Sequence, residues 1–71
     1  MIAEVWENET GYPFDTNYGV TVDRRRMPVS RELFMKDWLD KNKIVHHWAP
    51  LYGAVYFKQE KDRLLFVMRW S

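Results

Sequence analysis

Two adjacent histidines, His46 and His47, sit in the stretch KIVHHWAPLY (43–52). Imidazole is the side chain best suited to metal ligation or proton transfer near neutral pH, so this pair is the first place to look for a reaction centre. In a strand, however, neighbouring side chains project to opposite faces. His46 then shares a face with Ile44 and Trp48, and His47 lies with Lys43 and Val45, so the two rings do not converge on one ion. No HxH or HxxxH spacing supplies a partner for either. Cysteine is absent, which removes thiolate ligands, a thiol nucleophile and disulfides together. The only serines are Ser30 and Ser71, and Ser30 reads as a helix cap. Asp37 and Asp40 fall beside lysines on a solvated helix face rather than in a cleft, where displaced carboxylate pKa values support acid–base work. A glycine-rich phosphate loop is missing. The expectation is a protein that is not an enzyme and holds no metal or organic cofactor.

Two other groups of residues have binding chemistry. The run Arg24–Arg26, with Arg31 close behind, could grip phosphates through salt-sensitive contacts. Against that, Asp23 adjoins the run and a pI near 8.0 is low for a nucleic-acid module. A solvated turn, or a clamp on the acidic N-terminal part, is the competing explanation. The second group is aromatic. Trp6, Tyr12, Phe14 and Tyr18 lie in the acidic third of the chain, and rings of this kind dominate interface energetics. A 71-residue domain also needs such rings to fill its core. If Tyr12 and Phe14 are exposed, an interface is favoured; if buried, they lid the core.

Charge is segregated. Residues 1–23 carry Glu4, Glu7, Glu9, Asp15 and Asp23 with no Lys or Arg, net −5, whereas residues 24–71 carry eleven basic and five acidic side chains, net +6. Acidic Glu4, Glu7 and Glu9 stand near the start, unlike the basic and then apolar start of a secretory signal. Apolar runs stop far short of the ~20 residues of a membrane span. The expected location is cytoplasmic.

The elements that would position these groups can be read from periodicity. IAEVW (2–6) and YGVTVD (18–23) alternate as strands, separated by loop chemistry in GYPFDTNYG (11–19). A helix is expected over 30–42: Ser30 caps it, Val29 staples onto Phe34, and Phe34, Met35, Trp38 and Leu39 form its apolar stripe with Leu33 alongside. Glu32–Lys36 and Asp37–Lys41 are acid-first i,i+4 pairs, and Asn42 suits a left-handed helix end. KIVHHW (43–48) and AVYFK (54–58) read as strands. EKDRLLFVMRW (60–70) reads as a C-terminal helix, because acids lead and Arg69 trails; a buried terminal strand is the alternative.

The expected fold is therefore a small single α+β domain over 1–71, with an antiparallel sheet of about four short strands and two helices. From Tyr18 onward the order is that of a ferredoxin-like split βαβ unit lacking its last strand. YGAVYFKQEKD (52–62) resembles the third strand and following helix of RNA-recognition domains, which implies the same architecture. It departs from them at Ala54, where a base-stacking aromatic would stand.

These features favour a non-enzymatic protein-binding module: a small accessory or inhibitory protein that occludes or scaffolds a larger protein, or pairs with its own copy as a homodimer. Short accessory proteins of bacterial viruses have a similar texture. The expected surface joins Tyr12, Phe14, Asp15 and Tyr18 to the turn Arg24, Arg25 and Arg26. The alternative is nucleic-acid binding through Arg24, Arg25, Arg26 and Arg31 with the aromatics Tyr52 and Tyr56.

Overall fold

A computed structural model describes all 71 residues. In chain order the elements are β1 (Ile2–Asn8), β2 (Asn17–Val22), a 3-10 turn (Arg24–Arg26), α1 (Val29–Lys41), β3 (His46–Ala49), β4 (Ala54–Phe57) and α2 (Glu60–Trp70). The strands form one sheet in the order β1-β2-β4-β3, antiparallel at every pairing. The expected α+β class is what is observed. Because β4 lies between β2 and β3 and opposes both, β2 and β3 run parallel with α1 as their crossover, the split βαβ arrangement. The edge beside β2, where the closing strand of that arrangement runs, is taken by β1. The fourth strand thus comes from the front of the chain instead of the back.

The pleat sorts the side chains. Val20 opposes Val55, and Val20, Val22, Val55 and Phe57 share one face, buried under the helices. Met35 and Leu39 from α1 and Phe66 and Trp70 from α2 complete that core with Met27 and Ile44. Phe57 and Phe66 meet with ring centroids 5.3 Å apart, and Trp38 lies 6.3 Å from Phe66. No helix covers the other face, which carries Trp6, Gly19, Thr21, Tyr56 and His47 at adjacent register positions.

α1 corrects several local expectations. It begins at Val29, so its cap is Pro28, not Ser30, and no side chain caps it. The Pro28 carbonyl already accepts from the Arg31 and Glu32 amides, which starts the helix one residue early. Only Met35 and Leu39 of the expected stripe are fully buried; Phe34 is 67% and Val29 73% exposed, so no staple forms. Positions 35 and 39 face the sheet, and Phe34 lies about 100° around the helix from Met35. Glu32 meets Arg24 (3.7 Å), not Lys36, while Asp37–Lys41 forms as expected at 3.0 Å.

The helix end also differs. The left-handed residue is Lys43 (φ 54), not Asn42. The Lys43 amide donates to Asp40 and the Ile44 amide to Leu39, a Schellman closure that buries Ile44. Lys43 and Ile44 are consumed by that motif, so β3 spans 46–49 and not 43–48. α2 covers residues 60–70 as expected, and the strand alternative falls away. No helix is long and apolar enough to cross a membrane.

Candidate functional site

The loop between β1 and β2 is organised by one buried amide. Asn17 opens β2 with its side chain fully buried. Its Oδ1 accepts from the Phe14 amide at 3.1 Å, and its Nδ2 faces Asn8 Oδ1 (3.0 Å) and the carbonyls of Tyr12 (3.0 Å) and Phe14 (3.1 Å). A primary amide has two donor hydrogens and two acceptor lone pairs, so this single side chain fixes most of the loop backbone. Tyr12 and Pro13, joined by a cis bond, stand at its tip.

From that tip an aromatic track crosses the open sheet face. The Tyr12 ring, 73% exposed, meets His47 at 6.2 Å; His47 meets Tyr56 at 5.9 Å; Tyr56 meets Trp6 edge-on at 5.1 Å. Trp6 Nε1–H donates to Thr21 Oγ1 at 2.9 Å, and its ring lies directly on Gly19, where a Cβ would collide with it. The chain can bring Trp6 this close only because position 19 lacks a side chain. The other loop residues divide. Asp15 is exposed, while Phe14 and Tyr18 are half-buried around a hollow of about 460 Å³ shared with Pro13, Thr16 and Lys58. Tyr18 faces the helical side, with the Arg63 guanidinium 5.3 Å from its ring. Arg63 Nη1–H also donates to the Trp6 carbonyl at 3.0 Å, tying α2 to β1.

The arginine turn lies elsewhere. Asn8, Asn17, Phe57 and His46 mark one end of the sheet, and Ile2, Val22, Ala54 and Ala49 mark the other. The aromatic loop leaves from the first end and Arg24–Arg26 from the second, about 17 Å apart along β2 at the usual strand rise. Tyr12, Phe14, Asp15 and Tyr18, expected to share one surface with Arg24, Arg25 and Arg26, thus lie toward the opposite end of β2 from the arginines instead of beside them. Arg24 donates to the Pro50 carbonyl, meets Glu32 and sits 5.8 Å from the Trp48 ring centroid. Arg26 lies 3.8 Å from Asp23, whose side chain also caps the turn. Arg25 makes no salt bridge. Arg31 and exposed Tyr52 lie toward this same end, whereas Tyr56 belongs to the aromatic track on the open face.

A third feature was not legible beforehand. Between α1 and the last turn of α2 runs a groove of about 490 Å³ with Phe34, Trp38 and Trp70 as walls and Arg31, Lys41 and Arg69 as its cations. Asp37 is its one acid and is held by Lys41. Arg69 stacks on Trp70, 4.4 Å from the ring centroid. The signal in the sequence is Phe34 together with Arg69, which is masked because the first also fits a core stripe and the second a helix dipole.

The histidines stay apart, as the strand alternation implied. His46 is half-buried with Nδ1 2.8 Å from the Ile44 carbonyl, and His47 is exposed among the open-face rings. No three His, Cys, Asp or Glu side chains gather where they could hold a metal ion. What the surface offers chemically is stacking area, hydrogen-bonding tips and separated charge.

No protein-family model, no curated protein and no solved structure matches this chain.

Proposed function

We propose that the protein is a non-enzymatic binding module, a small accessory or inhibitory protein that occludes or scaffolds a protein partner through the loop Glu9–Asp15. The observation that carries this reading is the loop itself. A fully buried Asn17 holds it in shape while Tyr12 stays 73% exposed between acidic Glu9 and Asp15. The loop's two rings divide, Phe14 half-buried and Tyr12 out in solvent, and a loop kept only to lid the core would bury Tyr12 as well. A pre-shaped loop loses little freedom on binding, so an exposed tyrosine there contributes affinity that a floppy segment would forfeit. The flanking carboxylates suit a basic partner surface and would steer it in. Occlusion by an aromatic anchor ringed with charge fits a chain with no cleft where acid–base groups converge.

Nucleic-acid binding has narrower support. Arg25, Arg31 and Tyr52 are exposed toward one end, but Arg24 and Arg26 are engaged within the chain. The test sets the two readings against each other. Wild type and Tyr12→Ala/Asp15→Ala protein are used as baits in extract from the native host, and both are titrated with single-stranded RNA and duplex DNA at physiological salt. The loop reading expects a protein retained by wild type and lost by the variant, with nucleic-acid affinity weaker than micromolar. Sub-micromolar nucleic-acid binding that collapses in R24A/R25A/R26A, with identical protein capture by both baits, would replace it.

A further inference from the structure

We infer that the α1–α2 groove receives the acidic aromatic loop of a second copy of this chain, so that copies join head to tail. This rests on the loop reading above and names the partner for that loop. The groove and the loop are complementary in kind. The groove pairs aromatic walls, Phe34, Trp38 and Trp70, with a cationic rim, of which Arg31 and Arg69 form no salt bridge within the chain. The loop pairs an exposed ring, Tyr12, with free carboxylates on Glu9 and Asp15. Both are preformed, one between two packed helices and the other on the Asn17 amide.

Charge selects this occupant over an arbitrary apolar segment. All eleven basic side chains of the protein lie after residue 23, and half of its ten acids lie within residues 1–23. One copy is thus strongly acidic where the next is basic, and the attraction is screened over a Debye length of ~8 Å at physiological salt. Trp70 is the most deeply buried of the groove's aromatic walls, only 5% exposed. The neighbouring Arg69 guanidinium needs only to swing from the ring face to meet a carboxylate.

A chain cannot fill its own groove. Tyr12 leans over the open sheet face against His47, and the groove is in the helical layer on the opposite side. The contact is consequently heterologous: loop of one copy, groove of the next, with a free loop and a free groove left at the two ends. Such contacts form a ring if the rotation closes and an open filament if it does not. That geometry makes a sharp complementation test available, because two copies with different lesions still share one intact loop–groove pair.

Sedimentation velocity is run on the full chain across a concentration series, with Y12A (loop lesion) and R31E/R69E (groove lesion), each checked for wild-type helicity by circular dichroism. Wild type is expected to grow beyond a dimer with concentration, and raising salt from about 0.05 to about 0.5 M is expected to weaken assembly roughly tenfold. Each variant alone is expected to be monomeric, and an equimolar mixture of the two to form dimers and nothing larger. A wild type that stays monomeric at all concentrations overturns the inference. So do variants that assemble like wild type, or a mixture that fails to dimerise. Failure here is separable from failure of the loop reading. A monomeric chain whose host-protein capture is abolished by Y12A sinks only the head-to-tail contact. Y12A that alters neither assembly nor capture sinks both.

Discussion

The two faces of the sheet are made by the same strands, yet they obey different rules. On the covered face Val20, Val55 and Phe57 are sealed from water by Met35, Leu39 and Phe66. On the open face the intervening positions carry Trp6, Gly19, Thr21, Tyr56 and His47; the Trp6, Tyr56 and His47 rings touch edge to face, and the Trp6 indole N–H donates to Thr21. The first face gains its stability by excluding water, a contribution of roughly 1.5–3 kcal/mol per large buried side chain. The second is stabilised by neighbour contacts worth a fraction of that, about 0.5–1.5 kcal/mol per aromatic pair. The contrast teaches that aromatic richness in this chain has two sources. Rings behind the sheet specify the fold, and rings in front of it are displayed.

The comparison breaks most readily at Phe57, which is fully buried and in contact with Phe66. Phe57→Ala is expected to cost about 3–5 kcal/mol, the range for truncating a core phenylalanine. In a domain this small that is a large share of total stability. Chemical denaturation read by circular dichroism checks it. A loss below about 1 kcal/mol would mean that the covered face is not the core. Truncating Tyr56 one residue earlier should cost distinctly less, since its ring is only half-buried.

Gly19 tests the open face by addition instead of removal. A Cβ at this position meets the Trp6 indole, so Gly19→Ala must push that ring off the sheet. Overpacking of this kind costs roughly 1–3 kcal/mol. The diagnostic result is coupling: in a Trp6→Ala background the added methyl should be nearly free, because its obstacle has gone. Equal costs in both backgrounds would place the Trp6 ring elsewhere.

Much of the fold was legible in the sequence, and the reasons are local. α2 could be bounded at 60–70 because Glu60 and Asp62 at its start and Arg69 at its end agree with the helix dipole. The strand alternation around His46 and His47 by itself separates the two rings. What was illegible is long-range. Nothing local in IAEVW says that β1 will occupy the edge beside β2, nor does DRRR reveal that β2 puts its length between the arginines and Tyr12. Phe34 satisfied the apolar period of α1 yet faces outward, since periodicity gives the width of a stripe and not the rotation that packing selects. Asn17 was the quietest omission. A polar residue at the head of a strand looks ordinary until four backbone and side-chain partners converge on it.

The smallest effects are expected at the loop, and there the sign of the comparison reverses. Asn17→Ala strips the loop of its central amide and leaves the Phe14 amide without that partner, a loss on the order of 1–2 kcal/mol. Tyr12→Ala removes a far larger side chain but one standing mostly in water, so its effect on stability should stay within about 0.5 kcal/mol. Amide hydrogen exchange distinguishes the two. Asn17→Ala should speed exchange at Phe14 and along the loop while the β2–β4 ladder stays protected, whereas Tyr12→Ala should leave both unchanged. If Tyr12→Ala instead destabilises the protein as much as Asn17→Ala, its ring is structural, the open face is a second core, and the display of aromatics in front of the sheet loses its basis.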